Sequence, residues 1–203
     1  MASSERSINK VLAHLGLKGK GFPHHLIGRY PGGELLIVGT GRNVWQEVGG
    51  LPELPVMTIN DMVMYWPGVI RHAYSNDIEL LTHWAAARRE PLCKLYGKCG
   101  DLHSAMQREG LQYVHWPLPS QGGGGVVAIL VALLLGYDSI VCAGMPFDNS
   151  GHFYDPPLWS NLRKGRDWSD FLNETPDRIL ESLLPVMRGK VKAQSGRLKD
   201  MLE

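Results

Sequence analysis

The segment from Asp148 to Asp155, DNSGHFYD, concentrates side chains that could do acid–base or metal chemistry. Histidine gains or loses a proton near neutral pH, so His152 is a candidate general base. Asp148 and Asp155 flank it, and the three side chains could gather around a ligand or bind a divalent cation that bridges a diphosphate. The composition is equally typical of a plain turn, because Asp, Asn, Ser and Gly all favour turns. The candidate catalytic residues are therefore Asp148, His152 and Asp155, with a structural turn as the alternative.

Three other polar segments each follow a strand-like apolar run. They contain Gly39, Gly41, Arg42 and Asn43 after the first run, Asn60 and Asp61 after the second, and Gly144 after the third. In open parallel sheets, ligands bind in the crevice beyond the carboxyl ends of the strands, so these residues are predicted to share one site. Two simpler interpretations stay open: the glycines of GTGRN form a turn, and Asn60 with Asp61 cap the next helix.

A run of four glycines, Gly122 to Gly125, leads into the apolar block Val126 to Leu135. Glycine lets a backbone approach another group closely, and the N–H groups at the start of a helix attract an anion. The pattern therefore predicts that Gly123, Gly124 and Gly125 lie against a phosphate. A hinge, or close packing of the helix, is the alternative interpretation.

Strand-like and helical patterns alternate from Glu34 onward. The predicted strands are ELLIVG, LPVMTIN, VIRHAYSN, PLCKLYG, LQYVHW and DSIVCAG, and the predicted helices include DIELLTHWAAARR and Gly125 to Leu135. This alternation predicts a Rossmann-like, doubly wound α/β domain with a mainly parallel sheet. An N-terminal helix and connector, residues 1–30, and C-terminal helices, residues 158–203, are predicted to flank it. Pro185 is expected to kink or divide the last helix.

Composition limits the class of partner. A chain of 203 residues with 44% hydrophobic content is predicted to form a single domain. Its net charge of +1 gives no field that would attract nucleic acid or an acidic membrane, so a small molecule is the expected partner. The longest apolar block is well short of the ~20 residues that span a bilayer. Without a signal-like segment or paired cysteines, a cytoplasmic location is expected, and a homo-oligomer is compatible with the sequence.

Two blocks of the chain resemble the bacterial sialyltransferases and their Rossmann-like relatives, flagellin-modification proteins and archaeal 6-hydroxymethylpterin diphosphokinases. The blocks are GELLIVGTGRNVWQEVGGLPELPVMTIND and GGGGVVAILVALLLGYDSIVCAGMPFDNSGHFYD. In the sialyltransferases a G-x-G turn, a strand-end Asn and a Ser-Gly helix start surround the CMP part of the donor. The resemblance implies nucleotide contacts at Gly39, Gly41, Asn60, Gly124 and Gly125. It also implies that Tyr154 matches a tyrosine that assists the phosphate leaving group.

The chain departs from the family pattern at several functional positions. Arg42 and Asn43 replace the usual Pro-Ser, and Arg42 could pair with a phosphate. Gly124 stands where the family has a serine, and Pro146 stands where it has an acid. The family's general base is a histidine downstream of the last loop, whereas no histidine follows His152.

The sequence therefore predicts a nucleotide-dependent transferase, glycosyltransferase-like, with a nucleotide sugar of the CMP type as donor and no resident metal. Two alternatives remain open. One is a diphosphotransferase that resembles the pterin kinases and uses ATP and magnesium. The other is a protein that binds a small nucleotide without catalysing a reaction.

Overall fold

The central strands are short apolar runs, as expected where helices cover both faces of a parallel sheet. A computed structural model describes residues 2–14, 16, 23–88, 95–97, 113–118, 123–147, 150–155 and 175–203. The strands are β1 (Gly33–Val38), β2 (Val56–Ile59), β3 (His72–Ser75), β4 (Leu95–Gly97), β5 (Val114–His115), β6 (Tyr137–Ala143) and β7 (Val191–Ala193). The helices are α1 (Ala2–His14), α2 (Val44–Val48), α3 (Met62–Tyr65), α4 (Ile78–Ala86), α5 (Gly123–Leu135), α6 (Thr175–Met187) and α7 (Gly196–Leu202), with a 3-10 turn at His24–Leu26.

The strands form one sheet in the order β5-β4-β3-β2-β1-β6-β7, and each recorded pairing is parallel. The chain runs outward from β1 through β5 and then returns to the other side of β1 with β6. This reversal places a switch point between β1 and β6, where doubly wound sheets leave a crevice. The predicted Rossmann-like class is confirmed.

Two helical layers cover the sheet. On one face lies α5, whose residues from Val126 to Leu135 are all buried because the helix is apolar on every side. The buried parts of α1, α6 and α7 belong to the same hydrophobic cluster. On the other face α2, α3 and α4 pack through Val44, Met62 and Leu81. No helix among the described residues is both long and apolar enough to cross a bilayer.

The C-terminal part contains a strand that the sequence patterns did not predict. Strand β7 is only three residues long, with Val191 buried and Lys192 exposed, so its alternation is too short to recognise in a basic segment. Helix α6 continues through the exposed Pro185 and ends at Met187, so the proline does not divide it. Helix α5 begins at Gly123, two residues earlier than predicted. Residues 158–174 of the predicted helical addition lie outside the described residues.

Packed rings close the amino edge of the sheet. The buried His72 at the start of β3 and Tyr137 at the start of β6 share a hydrogen bond of 2.9 Å. Tyr30 stacks on Tyr137 with ring centroids 5.0 Å apart. Burial raises the pKa of Tyr137 to about 12, although Arg71 acts in the opposite direction. These polar rings serve the core, and the carboxyl edge is the one that presents open polar loops.

At the carboxyl edge, β1 and β6 stay paired beyond the sheet. The Gly39 N–H donates to the Ala143 carbonyl and the Gly41 N–H to the Gly144 carbonyl, both at 2.9 Å. A Cβ on Gly39 would lie 2.5 Å from the Gly144 oxygen, and one on Gly41 would lie 2.7 Å from Cδ of Pro146. Contacts this short are not tolerated, so glycine is required here by the approach of two backbones.

This packing predicts that Gly39→Ala destabilises the fold. The added methyl group would meet a backbone oxygen, and overpacking of this kind costs about 1–3 kcal/mol in the free energy of unfolding. Gly50→Ala is the matched control, because a Cβ there has no atom within 4 Å. Urea denaturation measures both variants. Equal stability of the two would contradict the proposed contact between the strand ends.

Candidate active site

Asn60 occupies the end of β2 in a conformation that few residue types adopt. Its φ of 52° is left-handed, which asparagine tolerates better than most non-glycine residues. The Ser75 hydroxyl donates to Oδ1 of Asn60 at 2.9 Å, and the Asn60 N–H donates to the Tyr74 carbonyl at 2.9 Å. Because Oδ1 accepts from serine, the amide NH₂ is the group that remains to donate to a ligand.

The start of α5 faces this asparagine. A Cβ on Gly124 would lie 3.3 Å from Oδ1 of Asn60, so glycine lets the helix start lie close to the end of β2. Gly123 has a φ of 77° and no atom within 4 Å of the position of a Cβ. Gly125 differs, since its Cβ would meet Met145 and Phe147 at 3.0 Å. Gly123 borders open space, whereas Gly124 lies close to Asn60 and Gly125 packs against the end of β6.

The segment from Ser150 to Asp155, here called the histidine loop, pairs with the loop after β1. Gly41 forms an antiparallel bridge with His152, and the Phe153 N–H donates to the Thr40 carbonyl at 2.9 Å. Arg42 donates from its backbone N–H to Gly151 and from Nε to the Ser150 carbonyl at 2.8 Å. Arg42, predicted as a phosphate contact, thus points one guanidinium nitrogen at the histidine loop.

His152 is oriented from two sides. Its Nδ1 lies 2.6 Å from the hydroxyl oxygen of Thr40, a buried residue, and its ring stacks on Tyr154 with centroids 5.2 Å apart. The His152 N–H donates to the buried carboxylate of Asp155 at 2.8 Å. Thr40 therefore fixes the imidazole through Nδ1, which leaves Nε2 as the ring nitrogen that could exchange a proton. Asp155 contacts the loop backbone.

Tyr154 joins the histidine loop to the end of β2. Its hydroxyl donates to Oδ2 of Asp61 at 2.5 Å. Partial burial raises the pKa of Tyr154 above its usual range, and the neighbouring carboxylates, Asp61 foremost, raise it further. The phenol is therefore a neutral proton donor. Asp61 precedes α3 but makes no capping hydrogen bond, so its carboxylate serves this contact and not the helix.

A carboxylate also lies at the end of β6, close to Gly144. Oε2 of Glu47, from α2, accepts from the Gly144 N–H at 2.7 Å, and Oε1 accepts from the Ser195 hydroxyl at 2.5 Å. Gly144 has a φ of 64° and packs closely on Val44. Glu47 thus joins α2 to the end of β6 and to Ser195.

The predicted residues fall into separate groups. Asn60, Asp61, Gly123, Gly124, His152 and Tyr154 lie around the end of β2, while Gly39, Gly41 and Gly144 serve the pairing of β1 with β6. Asn43 is directed to a different groove of about 420 Å³, which is lined by Asn43, Gln46, Glu47, Gly50, Leu51, Gln194 and Ser195. Asp148 lies outside the described residues.

Two site residues, and one residue that fixes the end of β6, were missed by the sequence analysis. Ser75 orients Asn60, Thr40 orients His152, and Glu47 binds the end of β6. Ser75 ends β3, so the strand-end rule that selected Asn60 could also have selected it. Thr40 lies between Gly39 and Gly41, and the pattern pointed to these glycines and not to the threonine. Nothing in the local pattern marks Glu47, since its partners are distant in sequence.

No protein-family model matches the sequence, and no curated protein matches it. Solved structures do match the fold. The sialyltransferase CstII from Campylobacter jejuni, in complex with the substrate analogue CMP-3FNeuAc, gives a TM-score of 0.58 at 15% identity over 84% of this chain and 86% of that chain. The chain therefore has a sialyltransferase-like fold.

Two further CstII structures support the same sialyltransferase-like fold. A variant of the enzyme in complex with CMP gives a TM-score of 0.53 at 14% identity and covers 80% of this chain and 81% of that chain. A complex with a trisaccharide acceptor and CMP gives a TM-score of 0.51 at 15% identity and covers 84% of this chain and 88% of that chain.

Among the described residues there is no group of three or more His, Cys, Asp or Glu that could hold a metal ion.

The bond between Tyr154 and Asp61 predicts a stability change at high pH. A phenol whose pKa is raised in the folded state resists ionisation there, while the unfolded phenol ionises near its ordinary pKa of 10.0. The stabilisation is therefore fully present below that pH and lost as the pH rises above it. We expect Tyr154→Phe to cost about 1 kcal/mol below the ordinary pKa, and the difference from wild type to shrink above it.

Urea denaturation at a series of pH values measures this difference. Asp61→Asn is the control, because removing the charge brings the folded-state pKa of Tyr154 closer to its ordinary value and so makes the loss of stability at alkaline pH smaller. A difference between wild type and Tyr154→Phe that stays constant through the whole alkaline range would contradict the assignment.

Proposed function

We propose that the chain transfers a sugar from a nucleotide sugar of the CMP type to an acceptor hydroxyl. The observation that supports this most is the position of Asn60 and Asp61. Asn60 lies beside the glycine start of α5, and Asp61 accepts a hydrogen bond from Tyr154 of the histidine loop. Solved structures with the same fold contain CMP, a CMP-linked substrate analogue or a sugar acceptor. We place the donor at this junction.

The α5 start would bind the donor phosphate. Helix N–H groups carry partial positive charge, and a backbone without side chains at Gly123 and Gly124 allows a phosphate oxygen to come close. Gly123 borders open space, which leaves room for the anion. The NH₂ group of Asn60, oriented by Ser75, would donate to the ribose or the base.

Asp61 and Tyr154 would exchange partners when the donor binds. An acidic side chain at the end of the second strand is suited to accept hydrogen bonds from ribose hydroxyls. If the ribose hydroxyls donate hydrogen bonds to the Asp61 carboxylate, the Tyr154 hydroxyl is released and can donate to the phosphate. Its raised pKa keeps the phenol protonated for that purpose. This exchange gives Tyr154 the role that the family resemblance implies.

His152 would act as the general base. The acceptor hydroxyl gives its proton to Nε2, while its oxygen forms a bond with the anomeric carbon. The bond between that carbon and the phosphate oxygen breaks, and its electron pair leaves with CMP. Thr40 holds Nδ1 at 2.6 Å, so the imidazole stays oriented during the transfer. A local base of this kind would replace the downstream histidine of the family.

Donor binding is tested by thermal shift with CMP, CMP-sialic acid and ATP plus magnesium, since a ligand that binds only the folded state raises the Tm. We expect CMP and the CMP-sugar to raise it. Gly124→Val should abolish the shift, because a Cβ there lies 3.3 Å from Oδ1 of Asn60 and the larger side chain would displace the amide that is proposed to contact the donor.

Gly50→Val is the control, as a Cβ at Gly50 meets no atom within 4 Å. A large loss of stability in Gly124→Val with unaltered CMP binding would assign the glycine to packing alone. A shift with ATP and magnesium but not with CMP would favour the diphosphotransferase.

Catalysis is tested by the slow release of free sugar from the CMP-sugar. We expect His152→Gln to lower this rate by about 100- to 10,000-fold, the usual contribution of a general base, and to leave the CMP thermal shift in place. His83→Gln, on the exposed side of α4, is the matched control. Binding of CMP by the wild type without any turnover would identify a nucleotide-binding protein that is not an enzyme.

A further inference from the structure

A group of aromatic side chains lies beside the candidate site and has no part in the proposed chemistry, apart from Tyr154. The group, here called the aromatic surface, consists of Trp45, Tyr65, Trp66, Phe153 and Tyr154. Three of its members are exposed: Trp45 by 40%, Tyr65 by 41% and Tyr154 by 40%. Aromatic rings bury large apolar areas when they can, so a cluster left open to solvent indicates a binding surface.

The rings are in contact with one another and with the candidate base. Phe153 meets Trp45 edge-on at 5.4 Å and Tyr65 edge-on at 5.1 Å between centroids. Tyr65 stacks on Tyr154 at 5.4 Å, and Tyr154 in turn stacks on His152 at 5.2 Å. The aromatic surface is therefore continuous from Trp45 to the imidazole.

Hydrogen bonds hold the backbone segments that carry these rings. Arg88 donates to the carbonyls of Val63 and Trp66, at 3.0 and 2.5 Å, and to that of Gly68. These bonds hold the end of α3, which carries Tyr65, and the turn after it, which carries Trp66. Phe153 is held through its N–H on the Thr40 carbonyl. The rings thus form a pre-organised surface, which lowers the entropic cost of binding.

The chemistry of the surface matches one face of a pyranose sugar. Such a face presents C–H bonds that pack on an aromatic ring, while the hydroxyl groups at its edge form hydrogen bonds. The rings of the aromatic surface carry no formal charge, and hydrogen-bonding groups stand among them: the Tyr65 and Tyr154 hydroxyls and the Asp61 carboxylate. An anionic nucleotide is a poorer match than a neutral sugar.

We propose that the aromatic surface binds the acceptor, a glycan whose terminal pyranose stacks on the rings next to His152. This proposal rests on the proposed function, because a bound sugar is an acceptor only if the protein transfers a second sugar to it. A ring seated on Tyr65 and Tyr154 would bring its hydroxyl groups beside His152, which is stacked on Tyr154.

The test uses saturation-transfer NMR of the full chain with methyl β-D-galactopyranoside, in the absence of nucleotide. We expect saturation of the protons on one face of the sugar ring, and none of galactitol, which has similar hydroxyl groups but no ring. Trp45→Ala and Tyr65→Ala should each weaken the affinity by about ten-fold. Leu80→Ala is the matched control, because Leu80 is equally exposed, at 45%, but lies on α4 outside the aromatic surface.

Thermal shift with CMP on the same variants separates the two proposals. An unchanged CMP shift in Trp45→Ala, with weakened pyranoside binding, supports a sugar surface distinct from the donor crevice. A wild type that binds the pyranoside but no CMP would overturn the proposed function and leave the sugar surface. Absence of saturation, equal saturation of galactitol, or loss of CMP binding in Trp45→Ala would overturn the inference. So would a wild-type oligomer in sedimentation that Trp45→Ala converts to monomer, since the surface would then join two copies.

Discussion

The close approach of the β1 and β6 backbones beyond the sheet is the constraint on which the candidate site depends. Gly39 and Gly41 donate to the carbonyls of Ala143 and Gly144, and side chains on either glycine would prevent it. This contact fixes the path of the loop after β1. That loop in turn pairs with His152 and carries Thr40. The glycines therefore act on the chemistry indirectly, by setting the position of the residues that touch His152.

Histidine and tyrosine side chains have different surroundings at the two edges of the sheet. At the amino edge, His72, Tyr137 and Tyr30 form a packed group of rings that serves the core. At the carboxyl edge, His152 and Tyr154 stack in a similar way but stay partly exposed. The difference arises because strands end and loops begin at the carboxyl edge, so polar groups there are not covered by helices.

Local patterns were sufficient for the α/β class and for most strands, since continuous apolar runs and a wholly apolar helix such as α5 have few other interpretations. They also placed Asn60 and Asp61 at the end of a strand and Tyr154 in the loop after another, although not the contact between Asp61 and Tyr154. Local patterns could not reveal contacts between residues that are distant in sequence. Glu47 accepts hydrogen bonds from Gly144 and Ser195, and Thr40 contacts His152. Strand β7 was missed because three residues give no measurable alternation. The glycines of GTGRN were ambiguous because close approach to a phosphate and to another backbone require the same residue type.

The pairing of β1 with β6 also determines when the site can form during synthesis. Strand β1 is an interior strand of the sheet, yet one of its neighbours comes from a distant part of the chain, and Thr40 and His152 are 112 residues apart in sequence. Contacts between such distant residues form late, because a long loop must be closed before they contribute. A nascent chain on the ribosome therefore exposes the unpaired N–H and C=O groups on one edge of β1 until β6 has been made. Such an edge can pair with another chain, so the partly synthesised protein carries an aggregation-prone edge that the finished protein covers with β6.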